Sequence, residues 1–164
     1  MKYCPLCRSE LSPRMMGGRS RLACSASDCR FVHWNNPTPV VAGLVRWRGG
    51  YLLARGAGWP AGVFSFLTGF LEEGEAPEAA VIREVREELG LAAESAEFIG
   101  HFPLRQMNQL IIAYSARAVG EVSLGEELAE TRLLSADELA GFDFGPLELT
   151  GEIVHSWLSR PSSR

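Results

Sequence analysis

The sequence predicts an α+β domain, with a mixed sheet between helices, preceded by a small cysteine-rich module. All four cysteines of the 164 residues lie among the first 29. After residue 37, apolar runs typical of strands are interspersed with amphipathic segments typical of helices. The turn Asn35-Asn36-Pro37 separates the two patterns. We therefore predict one domain at residues 1–36 and a second at residues 37–164.

The strands and helices of the second domain follow from these patterns. Strands are predicted at residues 39–47, 51–55, 63–67, 96–103 and 109–119, with a brief pairing at 132–134. Helices are predicted at residues 77–89, from residue 135 with a capping box, and at 147–158. An acidic loop is predicted at residues 124–130, and the final four residues, PSSR, are predicted to be disordered.

Composition limits the function classes. The chain is 46% hydrophobic and 22% charged, as soluble globular proteins are. A formal net charge of −4 argues against a broad, nonspecific nucleic-acid surface. No apolar run approaches the length of a membrane span, and the opening MKYCPLC lacks the apolar segment of a signal peptide. We therefore expect a cytoplasmic protein without a membrane partner.

The four cysteines form two short-spaced pairs. Cys4 and Cys7 make a CxxC pair, and Cys24 and Cys29 make a CxxxxC pair. In a reducing compartment such pairs predict a tetrahedral Zn²⁺ site before they predict disulfides. Four thiolates leave no open position for water, so the site would be structural, and His33 would be a surplus fifth ligand. Unligated thiols, or disulfides in an exported protein, are the alternatives.

Three glutamates share one face of the predicted helix at 77–89. Glu84, Glu87 and Glu88 stand at i, i+3 and i+4, within an arc of roughly 100°. An adjoining arc, expected to face the core, contains Val81, Ile82, Val85 and Leu89.

The three carboxylates on this face repel one another. No arginine stands four residues after any of them, where a purely stabilising design would place one. A divalent cation resolves the repulsion better, and carboxylate oxygens suit Mg²⁺ or Mn²⁺. Gly69 and Gly74 are expected to let the preceding loop bend and approach a ligand. The alternative is an acidic amphipathic helix with no ligand.

These residues match the Nudix box, G-x5-E-x7-R-E-U-x-E-E-x-G-U with U aliphatic, without a departure: Gly69, Glu75, Arg83, Glu84, Val85, Glu87, Glu88, Gly90 and Leu91. The chain thus resembles the Nudix hydrolase family over residues 37–160. It also resembles the branch in which a four-cysteine zinc ribbon precedes the domain, which includes the bacterial NADH pyrophosphatases. Further similarities are the two cysteine pairs, an N-P-x-P entry into the first strand, and LLAR before the box.

The resemblance implies a role for each matched residue. It implies that Glu84, Glu87, Glu88 and the Gly69 backbone bind Mg²⁺ or Mn²⁺, with Glu87 and Glu88 also catalytic. It implies that Arg83 keeps the glutamates in register and that Glu75 supports the loop. By the same resemblance, both residues are predicted to belong to the catalytic set. A later acidic residue often joins the metals, and Glu126, Glu127 and Glu130 are available, with Glu127 favoured by alignment.

The aromatic residues near the box are candidates for binding a ring of the substrate. Phe70 directly follows the motif glycine and could stack on a base or nicotinamide, with a core role as the alternative. Trp59 and Trp34 are weaker candidates for the same contact.

The implied reaction is attack of water on a phosphorus of a nucleoside-diphosphate derivative. The substrate would be a dinucleotide (NADH or NAD, or FAD) or ADP-ribose, cleaved by a homodimer whose second subunit could cover the distant half. Residues 101–109 lack the SQPWPFPxS-like tract of the NADH pyrophosphatases, so NADH specificity and activity on NAD-capped RNA stay open. The alternatives are a pyrophosphohydrolase of oxidised dNTPs, a nucleotide-sensing module, and a ribbon that reads nucleic acid.

Overall fold

A computed structural model describes residues 1–160, and the prediction of disorder for residues 161–164 lies outside this range. The chain divides into two compact units, Met1–Pro37 and a second unit that begins at Thr38. Among the helices of residues 1–160, none has both the length and the apolar character needed to cross a bilayer.

The first unit is a three-stranded antiparallel sheet with strands β1 (Leu11–Met16), β2 (Arg19–Cys24) and β3 (Val32–His33). Gly17 and Gly18, with φ of 58° and 74°, form the two-residue turn between β1 and β2, a conformation that glycine adopts without strain. The sequence pattern does not predict these strands, because the segment has too few apolar residues to show a period.

Over residues 38–160 the second unit contains a six-stranded sheet and three α-helices. The strands are β4 (Thr38–Trp47), β5 (Gly50–Gly56), β6 (Leu67–Phe70), β7 (Ala92–Leu104), β8 (Gln109–Val119) and β9 (Leu128–Leu134). The helices are α1 (Pro77–Leu89), α2 (Ala136–Ala140) and α3 (Glu148–Leu158), and a 3₁₀ turn at Arg105–Met107 joins β7 to β8.

The sheet is mixed, as predicted. Its strand order is β7-β8-β4-β5-β9, with β4 and β8 parallel and the other neighbours antiparallel. The other edge of β4 is divided: residues 40–43 pair with β6 and residues 45–47 pair with β5. This division places Gly69 of β6 directly opposite Val41.

Each face of the sheet carries an apolar core. One core lies under α1 and contains Val41, Val81, Val85 and Leu89, all essentially inaccessible to solvent. The other core includes Phe64, Leu44, Leu53, Leu139 of α2 and Ile153 of α3. Burial of each such side chain contributes about 1.5–3 kcal/mol, so the two cores hold the helices on opposite faces.

Helix α1 begins and ends at the predicted residues, Pro77 and Leu89. Ala76 provides no side-chain cap, as its residue type predicts, and proline at the first position compensates through its fixed φ. At the other end Gly90 adopts the left-handed conformation (φ 67°) and donates its N–H to the Arg86 carbonyl. The predicted capping box of Ser135 and Glu138 is also present.

Several predicted boundaries are wrong. Residues 63–66 form no strand: Ser65 makes a single bridge to Ala54, and β6 starts only at Leu67. The apolar run there reflects burial of Phe64 and Phe66 in the core, which sequence alone does not distinguish from strand pairing. The acidic loop predicted at residues 124–130 is shorter than expected, because β9 pairs with β5 from Leu128 onward. The strand predicted at residues 96–103 is longer than expected and extends over Ala92–Leu104 as β7.

Candidate active site

The three glutamates of the box that belong to α1, Glu84, Glu87 and Glu88, lie on one face of the helix, and all three line a cleft of about 810 Å³ in the second unit. The buried residues of α1 are Ala80, Val81, Val85 and Leu89, and most of them lie on the adjoining arc of the helix. The prediction that Ile82 belongs to the buried face is wrong, because its side chain is 39% exposed.

Gly69 is required for a different reason from the one predicted. It lies in strand β6 rather than in a bend, and a Cβ built there would be 1.9 Å from Oε1 of Glu84. The Glu84 carboxylate therefore packs directly on the Gly69 backbone. Gly74, in contrast, has a positive φ of 77° and supplies the predicted bend in the loop.

The Arg83 guanidinium joins the loop to the helix. Its Nε and Nη2 donate to the two carboxylate oxygens of Glu75, both at 2.9 Å, in a bidentate pair. Its Nη2 also donates to the Phe70 carbonyl at 3.0 Å, and its Nη1 donates to Glu84 at 2.8 Å and to Glu87 at 3.0 Å. The Arg83 contacts hold the pKa of Glu75 at about 2, and the pKa of Arg83 is raised.

Arg83 forms an ion pair with Glu87, although the sequence predicted that the charges of the helix glutamates are not offset by an arginine. No arginine follows a box glutamate by four residues, but Arg83 precedes Glu87 by four and pairs with it. Part of the like-charge repulsion is therefore offset within the protein. Among residues 1–160 no arginine pairs with Glu88, and burial and the neighbouring charges of Glu84, Glu127 and Glu87 raise its pKa to about 7.

Of the three loop glutamates considered from the sequence, Glu127 lies in the cleft lining and acts on Glu88 through its charge. Glu130 instead pairs with Arg55, with Nε to Oε1 at 2.6 Å. Glu126 is exposed and is not among the residues that line the cleft.

The aromatic candidates are separated by the fold. Phe70 is 59% exposed and lines the cleft, which excludes the core role considered as its alternative. Trp59 also lines the cleft, with its indole packed over Gly56. Trp34 belongs to the first unit, where the Arg21 guanidinium lies 4.7 Å from its ring centroid.

The segment that departs from the NADH-pyrophosphatase tract forms a wall of this cleft. Residues 103–107 and Gln109 line it. Another side of the cleft is formed by α3 and the turn before it, through residues 146–150, Glu152 and Ile153. Sequence reasoning missed Ser65, Arg105, Thr150 and Glu152 as cleft residues, because no spacing pattern connects segments so far apart.

The four cysteines converge in the first unit. Their sulfur atoms all lie within 4.8 Å of one another, with Cys4 and Cys29 at 3.7 Å and Cys7 and Cys24 at 3.4 Å. A zinc tetrahedron with Zn–S bonds of about 2.3 Å has sulfurs about 3.8 Å apart, so the cluster fits this ion. His33 is half-buried in β3 and is not a member of the cluster.

Comparison with known proteins defines the class of the second unit. The model of the NUDIX domain matches residues 37–153, so the chain belongs to the NUDIX domain family and the predicted resemblance is confirmed. A crystal structure of a NUDIX hydrolase from Nitrosomonas europaea is 24% identical, with a TM-score of 0.79 over 96% of this chain and 90% of that one. At 24% identity, this similarity shows that the two proteins share a fold.

Curated relatives carry a more specific name. The chain is 28% identical to the NAD-capped RNA hydrolase NudC of Vibrio vulnificus (strain CMCP6), over 98% of this chain and 59% of that protein. It is 33% identical to the NAD-capped RNA hydrolase NudC of Mycobacterium bovis (strain BCG / Pasteur 1173P2), over 65% of this chain and 40% of that protein. The chain thus spans about 40–60% of the length of these relatives.

Proposed function

We propose that this chain is a metal-dependent pyrophosphohydrolase that cleaves the diphosphate of a dinucleotide or of ADP-ribose. The observation that carries the proposal is the convergence of Glu84, Glu87, Glu88 and Glu127 in one cleft that also has an aromatic side chain, Phe70. Carboxylates alone would repel a diphosphate, so the cleft requires cations to bind one.

The donor set fits Mg²⁺ or Mn²⁺. All four side chains offer carboxylate oxygens, and burial together with the charges of Glu84 and Glu127 raises the pKa of Glu88, as expected where like charges share a site. Glu84, Glu87, Glu88 and Glu127 would hold the ions, together with the Gly69 carbonyl. When bound, such ions act as Lewis acids that lower the pKa of water and neutralise charge on the phosphate that leaves.

The protein's own groups complete the reaction. Water attacks one phosphorus of the diphosphate, the bond from that phosphorus to the bridging oxygen breaks, and the other phosphate leaves with that oxygen. Either Glu87 or Glu88 accepts the proton that the water loses. Arg83 and Glu75 are positioning residues. Their bidentate pair holds the loop after β6 against the helix, and the remaining Arg83 contacts orient the Glu84 and Glu87 carboxylates. Phe70 would stack on a planar ring of the substrate.

Two observations support a dinucleotide-type substrate. The cleft combines carboxylates with apolar lining residues, which suits a diphosphate joined to a nucleoside. The curated relatives are named for hydrolysis of NAD-capped RNA, whose cap contains such a diphosphate.

The first unit is proposed to be a zinc ribbon, held by Cys4, Cys7, Cys24 and Cys29, that precedes a Nudix hydrolase domain. We also propose a homodimer in the cytoplasm, in which a second subunit covers the half of the substrate far from the metals. Light scattering coupled to size-exclusion chromatography measures the oligomeric state.

The test is a hydrolysis screen with Mg²⁺ and with Mn²⁺. Substrates are NADH, NAD⁺, FAD, ADP-ribose, diadenosine polyphosphates, NAD-capped RNA and dNTPs including oxidised dGTP, with the products resolved by chromatography and Glu88→Gln as the inactive control. We expect the highest kcat/KM for a dinucleotide or ADP-ribose. A tenfold preference for dNTPs would identify a nucleotide-pool enzyme instead, and binding without hydrolysis would identify a sensing module.

A further inference from the structure

Two hydroxyl groups meet in the buried part of the cleft. Ser65 and Thr150 are 5% and 6% exposed, and their side-chain oxygens are 3.1 Å apart. Both residues line the cleft. Neither belongs to the Nudix box, and neither has a part in the chemistry described above.

Backbone hydrogen bonds fix both groups in place. Ser65 exchanges a pair of backbone hydrogen bonds with Ala54, at 2.7 and 2.9 Å. Thr150 lies in the first turn of α3, where its N–H donates to the Leu147 carbonyl at 2.9 Å. The two hydroxyls are therefore presented to the cleft from rigid positions.

The pair has one donor to spare. Two hydroxyls have two hydrogens, and one of them is used in the bond between Ser65 and Thr150. Within residues 1–160 no acceptor contacts the second hydrogen. A buried donor without an acceptor is costly, so this position favours a ligand that supplies one.

The surroundings of the pair restrict what the ligand can be. The other buried residues of the cleft lining are all apolar: Val40, Phe66, Ile111 and Ile153. A charged group would lose its hydration among these apolar side chains, and a purely apolar group would leave the spare hydroxyl hydrogen unpaired. An uncharged heterocyclic ring with an acceptor at its edge satisfies both conditions.

We propose that Ser65 and Thr150 form a ring-recognition subsite, in which one hydroxyl donates to a carbonyl oxygen or ring nitrogen of the substrate. The inference rests on the proposed function, because it assumes that the diphosphate of the same molecule lies at the glutamates. The ring can be the purine of the nucleoside or the carboxamide-bearing ring of a dinucleotide in its reduced, uncharged form. Both present the required acceptor.

The experiment measures binding of mononucleotides, which requires no hydrolysis, so it stays informative if the proposed activity is wrong. The probes are AMP, reduced nicotinamide mononucleotide and ribose 5-phosphate, which has the phosphate but no ring. The variant is Ser65→Ala/Thr150→Val, whose substitutions replace both partners by apolar groups of similar shape and should leave folding nearly unchanged. The matched control is Ser115→Ala, a buried hydroxyl of β8 outside the cleft lining.

We expect the double variant to bind one ring-bearing probe about three- to tenfold more weakly, as loss of one hydrogen bond predicts, and ribose 5-phosphate as before. The probe that weakens identifies the ring. Thr150→Ser, which keeps the hydroxyl, and the Ser115 control should bind like the wild type. Equal losses for all three probes, or a wild type that binds no ring-bearing probe more tightly than ribose 5-phosphate, would overturn the proposal.

Discussion

The carboxylate of Glu84 occupies the space beside Gly69 that the side chain of any other residue would need. A Cβ at position 69 would lie 1.9 Å from Oε1 and 2.1 Å from Cδ of Glu84. Because Glu84 also accepts from Arg83 at 2.8 Å, its displacement would disturb the arginine contacts that join the loop to α1.

Gly69→Ala should therefore reduce activity more than stability. We expect kcat to fall by at least tenfold, since the Glu84 carboxylate must leave its position, and unfolding free energy to fall by about 1–3 kcal/mol, as overpacking costs. Steady-state kinetics and urea denaturation measure the two effects. Gly58→Ala is the matched control, because its Cβ would meet no atom within 4 Å. Equal kcat for the two variants would contradict this account.

Glu87→Gln and Glu88→Gln should each lower kcat by roughly 10²–10⁴, the range expected for loss of a group that transfers a proton or holds a metal. Folding should be little affected, since Glu88→Gln removes one charge from a repelling group of carboxylates and Glu87→Gln removes only a half-exposed ion pair with Arg83. Kinetics with Mg²⁺ and thermal denaturation check this. Glu126→Gln, an exposed neighbour of Glu127, serves as the control. Near-wild-type activity in both box variants would refute the assigned metal site.

The bidentate pair of Glu75 and Arg83 should make folding stability depend on pH. The pKa of Glu75 is about 2 in the folded protein, below its ordinary value of 4.5, because the Arg83 guanidinium donates to its carboxylate. The carboxylate therefore contributes stability above about pH 4.5 that is lost as the pH falls toward 2.

Glu75→Gln should destabilise the protein at pH 7, and the difference from the wild type should shrink between pH 4.5 and 3. Urea denaturation at pH 7, 4 and 3 measures it. A difference that does not change with pH would show that the charge of Glu75 is not what stabilises the fold.

Phe70→Ala should raise KM with little change in kcat. Stacking of an aromatic side chain on a base contributes about 1–3 kcal/mol, which corresponds to roughly five- to hundredfold in KM when binding precedes slow chemistry. Phe98→Ala is the control: Phe98 is also exposed, but it packs against His101 and Tyr114 outside the cleft lining. If both variants keep the wild-type KM, Phe70 does not bind the substrate.

The purified protein should contain about one zinc ion per chain. Structural zinc contributes directly to folding, so Cys7→Ser should unfold the first unit while the second unit stays folded. Elemental analysis measures the zinc, and methyl NMR spectra follow each unit. Ser27→Ala, in the loop between Cys24 and Cys29, should retain both zinc and structure. Protein purified without chelator that contains no zinc would disprove this assignment.

The local features of this protein could be predicted from its sequence alone. The bounds of α1 and β8 agree with the predictions at both ends. Each segment has a continuous pattern of apolar residues, and α1 is also delimited by Pro77 at its start and Gly90 after its end. The common face of Glu84, Glu87 and Glu88 follows from helical spacing, which needs no tertiary contact. The two cysteine pairs likewise predicted the cluster, since ligand spacing within each pair is local.

The tertiary structure decided what depends on pairing between distant segments. Ser65 and Thr150 meet although 85 positions separate them, and Glu127 acts on Glu88 from a loop beyond β8. Because β4 pairs with β6 only over residues 40–43, the apolar residues 63–66 remain outside the strand. The same pairing places Gly69 against the Glu84 carboxylate. Periodicity shows which residues of a segment are buried, but strand register and helix docking determine which side chains meet across the cleft.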